Sequence, residues 1–385
     1  MRIGIDIRSL QNDSQLRGIG TYTRCLIQSL LSLDKENEYV LFAFRNRPLP
    51  DLLEETAGKK VKVSRLTWRK KRFVWLSGQV LFPYAAKKEG LDVFYSPEYI
   101  VPVLGRVKKA ITVHDFINIE YPLYRKRSGA LRRLYFYLKD KTLHRADRII
   151  SVSHYTKGRI KELCGIKEER ITVIYEAARD CFRPLNDRDL FPRVEKKYGI
   201  EGRFFFYAGA IDYHKNIDGL VRAFSRIKDK ETALVLAGVK NDPFYFGHIQ
   251  GLIERLNLRG RVLLLGYIPQ EDLVSLYNMA LAVVSVSFCE GFGLPTLEAM
   301  ACAKAVIASG NTSMAEIVGD CGILVDPYNI EEITAAMDKV LGDESFRNSL
   351  AEKGFLRSKE FSWEKAARQM IGVWEDLCPS IGGRG

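Results

Sequence analysis

Apolar and polar positions along the chain alternate between two periods. Short runs of β-branched and aromatic residues, typical of buried parallel strands, are followed by longer stretches with helical spacing. In the first half the strand-like runs are RIGID, YVLFAF, VKVSRL, DVFYS, AITVHD and RIISVS, which start at residues 2, 39, 61, 92, 110 and 148. Helical patterns include 19–33 and 127–145. This alternation predicts a doubly wound α/β unit around a parallel sheet.

A second series of the same kind follows. Its strand-like runs are FFFYAGA, ALVLAG, RVLLLG, LAVVSVS, AVIAS and GILV, which start at residues 204, 233, 261, 281, 305 and 322. The stretch from about 175 to 200 holds prolines and mixed charges, and we interpret it as a linker. The sequence therefore predicts two Rossmann-like domains, 1–180 and 181–360, that face each other across a cleft. Loops at the carboxyl ends of the strands are expected to carry the chemistry.

Length and composition agree with two globular domains. The chain has 385 residues, of which 46% are hydrophobic and 28% charged, and a chain this long is expected to divide its core. It contains no apolar run of about 18 residues or more, so no transmembrane helix is expected. The start, MRIGIDIRSL, is typical of a strand and not of a signal peptide. We therefore expect a cytoplasmic protein.

The cysteine pattern and the net charge limit which metal sites, nucleophiles and binding partners are expected. The seven cysteines are scattered without CxxC spacing, which argues against a disulfide framework or a zinc site. Cys289 precedes Glu290, and we interpret it as a packing residue and not as a nucleophile. The formal net charge of +12 implies anionic partners: phosphates, an acidic membrane surface or nucleic acid. Charge alone does not choose among them.

The most informative stretch follows the strand LAVVSVS. Glu290 and Glu298 flank a turn that contains Gly291, Gly293 and Pro295. The glycines allow close backbone approach to a ligand, and proline suits the first turn of a helix, whose open amides bind anions. Carboxylates accept hydrogen bonds from vicinal hydroxyls, so a phosphate between two hydroxyl-bearing rings would satisfy every group. That ligand is a nucleotide sugar; the alternative is a capped helix with a solvated Glu298.

Three further loops follow predicted strands. Lys215 precedes a helix that begins near Asn216. A cation at the start of a helix is unfavourable unless an anion lies between the cation and the helix. The alternative is an exposed lysine. Gly18 and Gly20 bracket a loop that opens a helix, although the dinucleotide fingerprint is incomplete and an ordinary helix start remains possible. His114 ends another strand at the predicted cleft, where a packed histidine is the alternative.

The stretch EGFGLPTLE resembles the E-x7-E motif of retaining glycosyltransferases of family 4, which have the GT-B fold. The resemblance implies that Glu290 contacts the hydroxyls of the donor sugar and that Glu298 binds the nucleotide ribose. It also implies that backbone amides between the two acids contact the sugar and the diphosphate, namely those of Gly291, Phe292, Gly293 and Leu294.

Other stretches match the same family. The resemblance implies that Lys215 neutralises the leaving diphosphate and that the glycine-rich loop at Gly18 and Gly20 reaches the donor phosphates. The VHD pattern implies that His114 contacts the C6 hydroxyl side of the sugar, while Asp115 orients the imidazole or caps the turn after it.

The resemblance covers nearly the whole chain and implies that domain 1–180 is the acceptor side and that domain 181–360 binds the nucleotide sugar. Ile268 lies in the turn that packs against the nucleotide base, and Ser153 matches a helix start that faces the cleft. The segment 361–385 resembles the terminal helix that crosses back to the first domain. Ala210 departs from the arginine that many members have there and resembles the mannosyltransferase branch; Arg17 is our candidate for the missing charge.

The resemblance implies a retaining hexosyltransferase with a nucleotide-sugar donor, which we expect to be GDP-mannose, and a saccharide or lipid-linked acceptor. Glu290, His114 and Lys215 are the predicted catalytic residues. No cofactor or metal is expected, and we do not assign the Asp-x-Asp triplet at 187–189 to a metal because it lies in the predicted linker.

Alternatives remain open. One is another nucleotide-sugar enzyme of the same fold, such as an epimerase or a phosphorylase, and another is a non-catalytic basic binding protein. The stretches at 69–76 and 124–145 mix cations with aromatic residues, which fits either a peripheral contact with the inner face of the cell membrane or a solvated helix. Nucleic acid is not an expected partner, since no RRM, KH or OB signature accompanies the charge.

Overall fold

The computed structural model divides the chain into two compact units, residues 1–176 with 362–385 and residues 177–361. The structure describes residues 1–12, 15, 18–50, 60–66, 74–98, 101–102, 104–117, 141–186 and 190–379, without the side chains of 74–78 and 80. Of the helical pattern predicted at 127–145, only residues 141–145 are described, and they are helical.

The first unit is built on a seven-stranded parallel sheet in the order β3-β2-β1-β4-β5-β6-β7. Its strands are β1 Arg2–Asp6, β2 Glu38–Phe44, β3 Val61–Leu66, β4 Val93–Ser96, β5 Lys108–Val113, β6 Arg148–Ser151 and β7 Ile171–Val173. The helices are α1 Gly18–Leu33, α2 Val74–Glu89 and α3 His154–Cys164, with short 3-10 turns at Arg8–Gln11 and Glu168–Arg170. The strand β7 was not among the predicted strands.

The second unit has a six-stranded parallel sheet in the order β10-β9-β8-β11-β12-β13. Its strands are β8 Phe204–Ala208, β9 Ala233–Ala237, β10 Val262–Gly266, β11 Ala282–Ser285, β12 Ala305–Ser309 and β13 Ile323–Val325. Its helices are α4 Leu190–Tyr198, α5 Ile217–Arg226, α6 Pro243–Arg255, α7 Gln270–Met279, α8 Leu294–Ala301, α9 Met314–Val318, α10 Ile330–Gly342 and α11 Glu344–Ser358. A 3-10 turn at Tyr213–Lys215 precedes α5.

The period of two along each strand divides the core of the second unit between the two faces of its sheet. Phe205 and Tyr207 of β8 pack with α5, α6 and α10 on one face. Phe204 and Phe206 pack with α4, α7, α8 and α9 on the other. We call these the α5 face and the α8 face. Because parallel sheets are buried on both sides, the strands are continuously apolar, as the sequence pattern predicted.

The interpretation of residues 175–200 as a linker is wrong in part. The helix α4 occupies Leu190–Tyr198, and Val194 is buried in the core of the α8 face together with Ile200. The prolines and charges that suggested a linker lie mainly before and on the solvent side of this helix. A short amphipathic helix with few apolar positions is difficult to distinguish from a polar connection.

The terminal helix, α12 at Trp363–Leu377, belongs to the first unit. Its side chains pack against α1 and the sheet: the rings of Trp363 and Tyr22 lie 5.7 Å apart, and those of Trp374 and Tyr95 lie 5.5 Å apart. Trp374 is completely buried. Aromatic burial of this size fixes the end of the chain on the first sheet.

Candidate functional site

Two loops of the second unit meet where the strand order of its sheet reverses. The strands β8 and β11 are neighbours, while the next strands in the chain lie on opposite sides of them. The loops that follow β8 and β11 therefore flank the topological switch point, where open parallel sheets bind ligands. A hydrogen bond of 2.8 Å from the amide of Phe288 to the carbonyl of His214 joins the two loops.

The switch point brings Lys215 and Glu290 together. The ammonium of Lys215 donates to the Oε2 atom of Glu290, and each side chain is 16% exposed. The hydroxyl of Ser313 donates to the backbone carbonyl of Glu290 at 2.9 Å and fixes the position of its loop. In this structure the anion beside Lys215 is therefore the carboxylate of Glu290.

The backbone before α5 holds Lys215 in place. Asn216 has the left-handed conformation with φ of 55° and caps α5, its side chain accepting from the amide of Gly219 at 3.1 Å. The Nδ2 atom of Asn216 donates to the carbonyl of Pro327 at 2.7 Å. The helix begins where the sequence predicted, and this buried cap fixes the turn that carries the lysine.

The start of α8 lies in the other loop. Gly293 precedes the helix with φ of 96°, and a Cβ added there would lie 2.7 Å from the Cγ atom of Met314, so only glycine fits. Because glycine has no side chain, the helix begins without a side-chain cap. Backbone amides at such a helix start suit an anion, as expected for Gly291, Phe292, Gly293 and Leu294, whose ligand contacts stay a prediction.

Glu298 lies in α8 and is buried. Its Oε2 atom accepts from the hydroxyl of Tyr277 at 2.9 Å, and a guanidinium nitrogen of Arg179 lies 3.9 Å from Oε1. Burial raises the pKa of Glu298 to about 7, although the Arg179 charge and the Tyr277 hydroxyl both act to lower it. Burial therefore disfavours the ionised form of this acid, unlike that of the solvated acid in the alternative interpretation.

Arg179 extends this cluster along the α8 face. Its guanidinium donates to the side-chain carbonyl of Gln270 and lies 5.0 Å from the centre of the Phe182 ring. Ile268, two residues before Gln270, is 6% exposed and packs in the core of the same face. The backbone contact predicted between Ile268 and a nucleotide base stays a prediction.

In the first unit, His114 follows β5 and is buried. Its Nδ1 atom lies 3.0 Å from a carboxylate oxygen of Glu176, and its Nε2 atom lies 2.9 Å from the carbonyl oxygen of Pro97. Both neighbours are acceptors, so the doubly protonated imidazolium satisfies both contacts. Burial lowers the pKa of His114, but the hydrogen bond and charge of Glu176 outweigh it, and the pKa is raised.

Asp115 does not hold the imidazole. Its carboxylate accepts from the amide of Ile117 at 3.2 Å, so it caps the following turn, which is the second of the two roles considered for it. Glu176 orients the ring instead. The predicted contact between His114 and a sugar hydroxyl requires that the hydroxyl replace the Pro97 carbonyl at Nε2, and it stays a prediction.

The remaining predicted residues of the first unit lie at helix starts. The helix α1 begins at Gly18, so Gly18 and Gly20 lie in its first turn and not on a loop before it. Ser153 is completely buried and caps α3 by accepting from the amide of Thr156 at 3.0 Å. Their predicted contacts with a donor stay predictions.

Some predictions concern residues outside the described part of the chain: Arg17, the triplet at 187–189, and the basic stretches at 69–73 and 124–140. Within the described part, no group of three or more histidine, cysteine or acidic side chains is placed to hold a metal. No described helix is both long enough and apolar enough to cross a bilayer.

Sequence reasoning missed three partners of the predicted site residues, Glu176 in the first unit and Arg179 and Tyr277 in the second. Glu176 and Arg179 lie in the stretch interpreted as a linker, and Tyr277 lies in α7, to which the sequence analysis assigned no function. A usable signal existed for Glu176, since it follows the short apolar run that forms β7. No sequence signal distinguishes the hydroxyl of Tyr277 from that of any other core tyrosine.

Comparisons with known proteins point to one group. A family model described as Glycosyltransferase Family 4 matches residues 16–178, and one described as Glycosyl transferases group 1 matches residues 191–357. The chain is 30% identical over 380 residues to the O-antigen chain mannosyltransferase B of Escherichia coli, covering 94% of this chain and 97% of that protein. It is 26% identical to the O-antigen chain mannosyltransferase RfbU of Salmonella typhimurium, covering 85% and 83%.

Solved structures share the fold. The sucrose-phosphate synthase of Thermosynechococcus elongatus superposes with a TM-score of 0.77 at 21% identity, over 98% of this chain and 99% of that one. HepE of Anabaena in complex with UDP-glucose gives a TM-score of 0.75 at 17% identity, over 98% and 100%. These likenesses confirm the fold class predicted from the alternation of strands and helices.

Proposed function

The chain belongs to glycosyltransferase family 4 and has the GT-B fold, as its EGFGLPTLE stretch predicted, and we propose that this glycosyltransferase moves mannose from GDP-mannose to a saccharide or lipid-linked saccharide. The mannosyltransferase names of two relatives support the sugar. The small residue Ala210, where many members have an arginine, is in keeping with that branch.

The observation that carries the proposal is the contact between Lys215 and Glu290 at the switch point, beside the start of α8, which has no side-chain cap. A sugar diphosphate would give each side chain of this ion pair a new partner. Lys215 and the amides before α8 would take the diphosphate, and Glu290 would accept from the sugar hydroxyls. Both charges would then remain paired or hydrogen-bonded, as partly buried charges require.

This arrangement suits transfer with retention. The bond between the anomeric carbon and the diphosphate oxygen breaks, and its electron pair leaves with the diphosphate. The acceptor oxygen bonds to the same face of that carbon, and its proton passes to the departing diphosphate. The site then needs fixed positive charge and amides at the phosphate more than a strong base. Lys215 and the α8 amides supply these without a metal, which is part of the proposal.

The groups around Glu298 support a guanosine donor. A carboxylate here would accept from the ribose hydroxyls, and Arg179 lies 3.9 Å from it. Arginine pairs with guanine through O6 and N7, two acceptors that uracil does not present in that arrangement. The hydrogen bond of Arg179 to Gln270 would hold the guanidinium plane for such a pair.

A screen of nucleotide sugars tests the proposal. GDP-mannose should raise the melting temperature more than UDP-glucose or ADP-glucose, since a ligand that binds only the folded chain stabilises it. Release of GDP should rise sharply on adding a saccharide acceptor, and NMR of the product should show the anomeric configuration of the donor. Conversion of the donor without an acceptor would favour an epimerase or a hydrolase, and an inverted product would contradict retention.

Peripheral membrane contact is a separate part of the proposal and rests on the basic, aromatic stretch at 124–145. Charge reversal of Arg132 and Arg133 to glutamate should weaken sedimentation with phosphatidylglycerol vesicles, because each basic residue near an anionic surface contributes about 1 kcal/mol. The control is the same charge change at Lys87 and Lys88, which are exposed at the end of α2. Equal loss in both variants would show only an effect of net charge.

A further inference from the structure

Three buried hydroxyl groups meet in the core of the first unit, those of Tyr22, Tyr95 and Thr112, which we call the hydroxyl triangle. The hydroxyl of Tyr22 lies 2.9 Å from that of Tyr95 and 3.0 Å from that of Thr112. The hydroxyls of Tyr95 and Thr112 lie 2.7 Å apart. Because each hydroxyl can donate to one neighbour and accept from the other, the hydroxyl triangle satisfies its three donors without water.

The hydroxyl triangle attaches the ring of Tyr22 to two strands. Tyr22 belongs to α1, Tyr95 to β4 and Thr112 to β5. Burial raises the pKa of Tyr22, so its hydroxyl stays protonated and remains a donor at neutral pH. The terminal helix α12 packs on both tyrosine rings, with Trp363 against Tyr22 and Trp374 against Tyr95. Hydrogen bonds at the hydroxyl and packing at the ring therefore fix the position of Tyr22 together.

The fixed ring of Tyr22 contacts the imidazole of His114. The two ring centres lie 4.7 Å apart, and the ring planes are at 86° to each other. Thr112 and His114 are two residues apart in the chain, as residues on one face of a strand are, and Tyr22 contacts both. Glu176 and Pro97 contact the two ring nitrogens of His114, so Tyr22 adds a contact of a different kind, ring against ring.

This ring contact matters when a sugar hydroxyl takes the place of the Pro97 carbonyl at Nε2. Of the two contacts made by the ring nitrogens, the one from Nδ1 to Glu176 then remains, and its carboxylate can move with the ring. The outer torsion angle of a histidine side chain has a broad minimum, so a hydrogen bond at one nitrogen does not define the direction of the other. The ring of Tyr22 narrows this range and is independent of the exchange, because its hydroxyl bonds to Tyr95 and Thr112.

We propose that Tyr22 is a positioning residue: its ring, fixed by the hydroxyl triangle, keeps Nε2 of His114 directed at the donor sugar while the Pro97 carbonyl is displaced. Tyr22 acts through the imidazole and does not need to touch the sugar. A misplacement of about 1 Å at a reacting group can slow a reaction about a hundredfold, so a loose imidazole would reduce turnover more than donor binding. This inference rests on the proposed transferase function and adds how the first unit holds its histidine for the reaction.

The test compares Tyr22→Phe, which keeps the ring, with Tyr22→Leu, which removes it. Tyr22→Leu should lower kcat for transfer from GDP-mannose to mannopentaose by about tenfold to a hundredfold, with KM for the donor within about threefold. Tyr22→Phe should keep kcat within about threefold, because only one corner of the hydroxyl triangle is lost. In a His114→Ala background neither substitution should lower kcat further, since residues that act as a unit are not additive. The control is Tyr39→Leu, which removes another buried tyrosine that packs on Trp374 of α12 and should leave kcat unchanged.

NMR of the histidine side chains follows the imidazole without turnover. The chain has five histidines, and the signal that is missing from the His114→Ala chain belongs to His114. Its carbon–hydrogen signal should be sharp in the wild type, Tyr22→Phe and Tyr39→Leu, and broadened by exchange in Tyr22→Leu. If Tyr22→Leu does not fold, Tyr22→Met takes its place, because a flexible methionine fills irregular space in a core.

Three results would overturn the inference: an unchanged kcat in Tyr22→Leu, an equal loss of kcat in Tyr39→Leu, or the same loss in the His114→Ala background as in the wild type. The NMR signal separates this inference from the proposed function. A wild-type chain without turnover whose His114 signal broadens in Tyr22→Leu contradicts the function alone. A chain that transfers mannose, but keeps its turnover and a sharp His114 signal in Tyr22→Leu, contradicts the positioning role alone.

Discussion

Replacing Glu298 by glutamine should stabilise the protein at alkaline pH and weaken donor binding. The carboxyl group is buried, and its pKa is raised from the ordinary 4.5 to about 7. Between these two values the folded chain binds more protons than the unfolded chain does. The free energy of unfolding therefore falls as pH rises through this window, and the cost is complete above about pH 7.

The size of the effect follows from the raised pKa. At about 1.4 kcal/mol for each pH unit, the difference between 4.5 and about 7 corresponds to about 3 kcal/mol. Glutamine has nearly the same shape, and its carbonyl can still accept from the Tyr277 hydroxyl. The free energy of unfolding of Glu298→Gln, relative to that of the wild type, should thus rise by about 3 kcal/mol between pH 4.5 and pH 8.

Urea denaturation of both chains at several pH values measures this difference. Glu352→Gln, at an exposed position of α11, is measured at the same pH values as the baseline. GDP titrations should show weaker binding to Glu298→Gln, and weaker binding to the wild type below about pH 7. If the free energies of the two chains differ by the same amount at pH 4.5 and pH 8, Glu298 is not the buried, reluctantly ionised acid described above.

Three further predictions concern the ion pairs. Lys215→Ala should weaken GDP binding, measured by calorimetry, by about tenfold to a hundredfold, because the diphosphate loses its ammonium partner. Lys240→Ala, which removes an exposed lysine of the next loop, should leave GDP affinity unchanged. Equal losses of affinity in the two variants would reject a specific role for Lys215. Glu290→Ala should lose most transfer but keep or increase GDP affinity, because Lys215 loses its competing carboxylate; unchanged initial rates would exclude the role. Glu176→Ala should lower the free energy of unfolding by about 3–5 kcal/mol. The loss should be larger at pH 6 than at pH 9, because the raised pKa of His114 means that the ion pair stabilises the fold at low pH and that this stabilisation disappears as pH rises. A loss of free energy that does not depend on pH would mean that the imidazole is neutral.

The fold could be predicted because strand and helix alternate with different periods. The runs RIGID and FFFYAGA, for example, form β1 and β8 at the predicted positions. That Lys215 and Glu290 lie at one edge of a sheet also followed from the sequence, since both lie in loops after predicted strands and the carboxyl ends of parallel strands share an edge. Two elements were missed: β7, which has only three residues, and α4, in which Val194 is the buried apolar residue.

The partners of the charged groups could not be predicted. Sequence spacing placed an acid beside His114, but the structure pairs the imidazole with Glu176, which is 62 residues away. The raised pKa of Glu298 depends on the depth of burial of one helix turn, which the residue pattern does not fix. Such long-range contacts depend on how loops close on a sheet, and the local period of the chain carries no information about them.

The pair formed by Lys215 and Glu290 also gives the proposed reaction a means of resetting. Orthophosphate would pair with Lys215 but would leave the carboxylate of Glu290 without a partner. Only a molecule that brings both an anion and hydroxyls gives each side chain a new partner when the two separate. Once the sugar has moved to the acceptor, the acid has nothing left to hold and competes again for the lysine. When Lys215 and Glu290 pair again, they would displace the nucleoside diphosphate, so the contact that selects the substrate would also promote release of the product.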